Sequence, residues 1–218
     1  ASGIARAFEY CKAFPKAHVL VIAAELCSLT FQKDDQSKSN LIGTSLFGDG
    51  IAALLMCGKE ADFSEARFEV LPEVLGSQSS TLEDSEEVRG WEINDNGFRV
   101  VFSRDIPTLI KTHLKNDIEA FLNKEHIALE NIQVFLAHPG GKKVLDAYME
   151  ILGFSEAHID CSRKILARHG NMSSATVMHV LKEYCLHGGP VPGKYGLLGA
   201  LGPGFSSELL LLRWTKRE

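Results

Sequence analysis

The residues of this 218-residue chain best suited to chemistry stand at the two ends of one stretch, His138 to Ala175. It opens with His138-Pro139-Gly140-Gly141 and closes with Gly170-Asn171-Met172-Ser173-Ser174-Ala175. An imidazole and a carboxamide are both hydrogen-bond donors, and two donors converging on one carbonyl oxygen would stabilise a developing oxyanion or enolate. Taken singly, each residue has a plainer reading, a turn histidine and a helix-capping asparagine.

The elements that must position them follow from pattern. The apolar run Val134, Phe135, Leu136, Ala137 reads as a buried strand over 132–137 delivering His138 at its carboxyl end, and Gly140-Gly141 permits a close turn into a helix over 142–152. Asn171 follows a basic helix over 162–168 and is suited to cap the next one, whose apolar face is Thr176, Val177, Val180, Leu181 and Tyr184. Upstream, Ser2 is placed to cap a helix carrying Ile4, Ala7, Phe8 and Cys11. His18 to Glu25 then runs almost continuously apolar, the pattern of a strand covered on both faces. Leu41 to Phe47 reads as a short helix, Gly48-Asp49-Gly50 as a tight turn, and Ile51 to Cys57 as a second apolar strand. Between Gly58 and Asn96 the chain is polar, with an acidic stretch from Glu83 to Glu87, and reads as a solvated hairpin region. Phe98 to Phe102 alternates as a strand, and Asp105-Ile106-Pro107 opens a helix with the stripe Leu109, Ile110, His113, Leu114, Ile118, Phe121, Leu122. A hairpin around Gly202-Pro203-Gly204 closes the chain. Its glycines do not make a phosphate loop, since a strand follows and no Lys-Ser or Lys-Thr comes after. Helices alternating with apolar strands place the chain in the α/β class.

Composition narrows the function classes. A hydrophobic content of 45% supports a substantial core, and a net charge of −5 without a basic block argues against nucleic acid or an anionic membrane as the main partner. No apolar run reaches the roughly 18 residues of a spanning helix, and the start lacks the plan of a signal peptide, so a cytoplasmic enzyme is expected. Five cysteines (Cys11, Cys27, Cys57, Cys161, Cys185) form no C-x-x-C pair. Cys185 and His187 near His179 lack the second ligand pair of a tetrahedral site, and no metal is expected.

The two motifs, in this order and with two others, resemble those of the type III polyketide synthases, the chalcone-synthase-like condensing enzymes of the thiolase-like fold, and most closely the bacterial type. The others are Ser45-Leu46-Phe47-Gly48-Asp49-Gly50 and Ala200-Leu201-Gly202-Pro203-Gly204, the latter departing from the family's Gly-Phe-Gly-Pro-Gly at its first two positions. The resemblance spans essentially the whole chain. It implies an α/β, thiolase-like C-terminal half with a mixed sheet layered with helices, in which 1–58 is the tail of the N-terminal half and 59–218 the C-terminal domain. Implied too is decarboxylative Claisen condensation of malonyl-CoA onto an acyl-CoA starter, giving a chalcone-, pyrone- or resorcinol-type product. His138 would pair with a cysteine thiolate and donate to the oxyanion, Asn171 would be the second donor, and Phe47 a gate at the cavity mouth. Cys27, Thr30 and Val100 would line the cavity, with Gly202, Pro203 and Gly204 forming a loop beside it; Val100 stands where the family usually carries a Phe. Coenzyme A thioesters would be substrates, with no further cofactor, and the full-length protein a homodimer.

The family's nucleophile lies in a Gly-Cys-x-Gly-Gly motif, directly after which its sequence resembles Ala1-Ser2-Gly3-Ile4-Ala5-Arg6-Ala7. The chain is therefore expected to be a C-terminal fragment, inactive alone. Three alternatives stand beside this reading. A ketoacyl-carrier-protein synthase III-like condensing enzyme also uses His and Asn, but its histidine motif usually continues Gln-Ala-Asn. A papain-like hydrolase shares the order Cys, His, Asn, but no cysteine here lies in a nucleophile motif. The third is a non-catalytic thiolase-fold half with an interaction role.

Overall fold

The computed structural model describes residues 1–85, 89–95, 97–102 and 106–217. Its central sheet has four strands in the order β3-β8-β7-β6: β3 is Val70–Thr81, β6 Ile132–Ala137, β7 Tyr195–Gly202 and β8 Ser206–Lys216. The β6–β7 pair is parallel and the other two are antiparallel, giving a mixed sheet. Because side chains alternate across a strand, each buried strand feeds two cores. Phe135, Leu197, Leu209 and Leu211 face one, with helices α3 (Ile106–Leu109), α4 (Lys115–Lys124) and α5 (Lys142–Leu152). Val134, Leu136, Leu198, Leu210, Leu212 and Trp214 face the other, with α1 (Ser2–Ala13), α6 (Glu156–His169) and α7 (Ser174–His187).

A second sheet lies beyond that helical layer, an antiparallel ribbon of β1 (His18–Glu25) and β2 (Gly50–Cys57). Its inner side chains Val21, Ala23, Ala52, Leu54 and Met56 pack on the second core. The outer face corrects the expectation of a strand covered on both sides: Leu20, Ile22, Ile51 and Leu55 are 58–66% exposed. Between the strands come a 3₁₀ turn, Cys27–Thr30, and α2, Lys38–Leu46, whose first turn is capped by the Ser37 hydroxyl accepting from the Asn40 amide. A third sheet pairs β4 (Arg89–Asn94) with β5 (Gly97–Phe102).

Three further sequence expectations need correction. The polar region after Gly58 contains β3, the longest strand, paired to β8 over its whole length. Its polar residues are satisfied within the fold: Ser79 donates to Glu208 at 2.7 Å, and Ser80 and Ser207 both donate to the Asp117 carboxylate on α4, at 3.0 and 2.8 Å. An edge strand tolerates such a face, and Pro72 within it. Of the acidic stretch, Glu86 and Glu87 lie outside the described residues, as does Asp105 at the start of the next helix. Second, that helix passes through a π-helical turn, Ile110–Leu114, which shifts the apolar register so that Ile110 and Leu114 are buried while His113, expected on the core stripe, faces solvent. Third, Ser2 is the first residue of α1 rather than its cap, which is Ala1. The strand over 132–137, the helix over 142–152 and the closing hairpin match expectation.

Candidate active site

His138 follows the last residue of β6, as its sequence context implies. Its amide donates to the Gly199 carbonyl on β7 at 2.7 Å, and the preceding Ala137 carbonyl accepts from the Ser162 hydroxyl of α6 at 2.8 Å. These bonds continue the sheet by one residue and fix the backbone carrying the imidazole, which is 4% exposed. Gly140-Gly141 then turns the chain into α5. A Cβ built on Gly141 would come within 3.8 Å of the Leu46 side chain, which places the histidine loop near the end of α2.

Leu46 in turn is bonded to the asparagine. Asn171 and Phe47 form a parallel bridge: the Asn171 amide donates to the Leu46 carbonyl at 2.8 Å, and the Gly48 amide donates to the Asn171 carbonyl at 3.1 Å. Glycine permits this approach. A Cβ on Gly170 would lie 2.6 Å from the Leu46 carbonyl oxygen, and one on Gly48 2.7 Å from the His169 carbonyl oxygen, where no side chain fits. Phe47 and Asn171 thus share one stitched segment.

Asn171 is not the cap of α7, which corrects the sequence reading. The cap position is Ser173, and its own side chain makes no capping bond. Asn171 lies two residues earlier, 1% exposed, with Oδ1 accepting from the Ser173 amide at 2.9 Å. A backbone N–H can only donate, so that bond fixes which way the amide points. Nδ2 is turned away and, among the described residues, has no hydrogen-bond partner. A buried donor left unbonded costs about 1–3 kcal/mol, and sites that bear such a cost are commonly ones where a ligand completes the bond. Ser173 itself has φ 49° and ψ −128°, a conformation that costs a non-glycine residue on the order of 1–3 kcal/mol.

The remaining site residues fall in two groups. Cys27 and Thr30 lie on the 3₁₀ turn beside the asparagine loop: Cys27 Sγ is 3.5 Å from the Ser173 hydroxyl, and Thr30 donates to the Cys27 carbonyl at 2.8 Å. Asp49, just past Phe47, accepts from both the amide and the hydroxyl of Ser28 at 2.7 Å, tying this turn to the Phe47 segment. Those two donors hold the Asp49 carboxyl below its usual range. Val100 lies on β5 opposite Trp91. Gly202, Pro203 and Gly204 form the β7–β8 turn, three residues and more beyond Gly199; their bonds run to Ser206 and Ser85, Gly204 accepting from the Ser85 hydroxyl at 2.8 Å.

Sequence reasoning missed three contributors. Trp91 has its ring 6.5 Å from that of Phe47 and 6.2 Å from that of Phe98, making an aromatic group around Phe47; it was hidden in a stretch read as solvated. Glu25 accepts from the Ser174 amide at 3.2 Å and from its hydroxyl. Ser173 carries the strained turn; only the Ser-Ser pair after Asn171 hinted at it.

The other cysteines are poor nucleophiles. Burial, with some repulsion from neighbouring acidic groups, pushes the Cys161 thiol from 9.0 to about 11, and burial followed by Cys161 does the same to Cys185. Burial also raises Cys11 and Cys57.

A mixed sheet between helical layers, with a buried histidine following one strand and a buried asparagine bridged to the segment of Phe47, is the architecture of a thiolase-like fold. Comparison with known proteins makes this specific. Residues 73–215 match the model of the chalcone and stilbene synthases, C-terminal domain. The chain belongs to the chalcone and stilbene synthase family, whose relatives include type III polyketide synthases. It is 56% identical over 216 residues to a Bacillus subtilis (strain 168) protein provisionally named a chalcone synthase, covering 99% of this chain and 59% of that one. It is 39% identical over 214 residues to the 1,3,6,8-tetrahydroxynaphthalene synthase of Streptomyces peucetius subsp. caesius, covering 98% of this chain and 56% of that one. Among solved structures, the 1,3,6,8-tetrahydroxynaphthalene synthase of Streptomyces coelicolor A3(2), a bacterial type III polyketide synthase, matches with a TM-score of 0.90 at 27% identity, over 99% of this chain and 60% of that one. The chain thus spans little more than half the length of these relatives. Among the described residues, no helix is long and apolar enough to cross a membrane.

Proposed function

We propose that this chain is the donor-bearing part of a type III polyketide synthase that extends an acyl-CoA starter with malonyl-CoA by decarboxylative Claisen condensation. The observation that carries the reading is the buried Asn171 Nδ2, oriented by Ser173 and without a hydrogen-bond partner among the described residues, on a segment bonded to Leu46, whose side chain lies near the loop of His138. In this mechanism a cysteine thiolate holds the acyl group as a thioester. Loss of CO₂ from malonyl-CoA leaves an enolate whose oxygen receives bonds from the His138 imidazole and Asn171 Nδ2. The enolate carbon attacks the acyl thioester, the tetrahedral oxyanion collapses, and the thiolate leaves. Burial strengthens each donor, because little water competes inside the site. The start of α7 adds a positive dipole end to the same region. Phe47, with Trp91 beside it, would screen the enolate from water, while Cys27, Thr30 and Val100 shape the cavity.

The thiol itself is assigned to a Gly-Cys-x-Gly-Gly segment joined ahead of Ala1. The exposed apolar face of the β1–β2 ribbon supports treating 1–58 as part of an N-terminal half and 59–218 as the C-terminal domain. The proposal includes a cytoplasmic homodimer. The 218-residue chain alone should not condense substrates. The test is malonyl-CoA decarboxylation by a full-length synthase in which this chain follows such a segment: His138→Ala and Asn171→Ala should each lower the rate about 10²- to 10³-fold. A double mutant that still decarboxylates at the parental rate would overturn the assignment.

A further inference from the structure

We infer that Glu25 is a positioning residue, which acts through Ser174 and the strained Ser173 to hold the Asn171 amide in its donating orientation. This rests on the reading of Asn171 given above. Helix α7 lacks a cap of its own, since the Ser173 side chain bonds to no α7 amide. The missing acceptor comes from another element: Glu25, the last residue of β1, accepts from both the amide and the hydroxyl of Ser174, the first helical residue. A carboxylate at a helix N-terminus is doubly suited there, meeting unpaired amides and the positive end of the dipole.

The cap fixes more than the helix. Ser174 follows Ser173, whose positive φ an L-residue adopts only when its surroundings compel it. Ser173 is held from one side by the Glu25–Ser174 bonds and from the other by Cys27, 3.5 Å from its hydroxyl. Its amide in that conformation points at Asn171 Oδ1. With the clamp removed, Ser173 relaxes toward negative φ, its amide swings away, and Oδ1 loses the bond that turns Nδ2 inward. The carboxylate thereby sets a side chain it does not touch.

The inference yields a pattern among variants that a general loss of stability would not. Glu25→Gln keeps an acceptor oxygen and should behave nearly as the parent. Glu25→Ala removes it; in the 218-residue chain, amide exchange at Ser173 should rise at least about tenfold while exchange in the middle of α7 holds, and the Asn171 side-chain NH₂ resonances should shift. Adding Ser173→Gly to Glu25→Ala removes the conformational penalty and should restore the resonances toward their parental positions, because glycine adopts positive φ freely. In a full-length synthase that carries this chain after the nucleophile segment, Glu25→Ala should lower kcat for malonyl-CoA decarboxylation about tenfold with KM little changed, and the double variant should recover part of it. Unchanged Ser173 exchange and Asn171 resonances in Glu25→Ala would overturn the inference. Shifted resonances with undiminished decarboxylation would uphold the positioning role and instead remove Asn171 from the catalytic reading.

Discussion

Gly170→Ala is the sharpest probe of the segment that joins Phe47 to Asn171. Gly170 has φ 71° and ψ −162°, a region essentially reserved for glycine, and an added Cβ would press on the Leu46 carbonyl oxygen. The conformational cost is about 1–3 kcal/mol. Displacing Leu46 would also break the buried bond from the Asn171 amide, worth about 1 kcal/mol net. Together these place the variant at about 3 kcal/mol of lost stability. Gly153, the left-handed residue ending α5 at φ 67° and ψ 23°, provides the comparison: a Cβ there meets nothing within 4 Å. Gly153→Ala should cost only the left-handed penalty, about 1–2 kcal/mol. Urea titration of both variants and the parent, followed by far-UV circular dichroism, reads the difference; in a chain of this size each kcal/mol also moves Tm by about 2–4 °C. If Gly170→Ala loses no more than Gly153→Ala, the close packing of Leu46 against Gly170 is not what holds this segment.

Other tests address the surroundings. Trp91 is 41% exposed and Trp214 fully buried, so Phe47→Ala should red-shift tryptophan emission and raise iodide quenching, and Trp91→Phe should abolish both responses; no change in the first variant would separate Trp91 from the gate. The raised thiols of Cys161 and Cys185 favour the protonated native form, which binds protons that the unfolded chain releases near pH 9. Stability should therefore be intact below pH 9 and fall between pH 9 and about 11, and Cys161→Ala should flatten that arm of a pH–urea series. In the same folded chain, alkylation of these two thiols at pH 8 should be slow and should accelerate on unfolding. At the acid end the signs reverse: Asp49, Asp35 and Asp62 are each held below 3.8 by amides and hydroxyls of nearby serines, so their contribution is present above that pH and lost as pH falls further. Asp49→Ala should then reduce the acid sensitivity of the Phe47 segment, measured as amide exchange at Ser28.

The elements legible in the sequence were those whose period and punctuation agree. The strand before His138 has a continuous apolar run and ends at a Pro-Gly-Gly turn, and both it and the following helix lie where the residues imply. The strand β3 was illegible because its polar face is paid for by partners distant in sequence, Asp117 and Glu208, which no local window contains. His113 was misplaced because a π-helical turn breaks the 3.6-residue period on which the stripe depends. At the site, the motifs singled out His138 and Asn171, but the tools that aim the amide were hidden. Asn171 has the residue type of a cap and does a different task, while the acceptor at that helix start, Glu25, lies at the end of a strand almost 150 residues earlier in the chain.

The β1–β2 ribbon has a consequence for the chain in a test tube. Two strands built from Val, Leu, Ile and Ala, with an outer face carrying Leu20, Ile22, Ile51 and Leu55 in contact with water, make an adhesive template for other copies. Colloidal behaviour rather than folding free energy then sets how concentrated the isolated chain can become. Heating it should end in precipitate at a temperature that falls as concentration rises and as the scan is slowed, whereas Lys substitutions at positions 22 and 55 should raise its solubility without altering the buried layers.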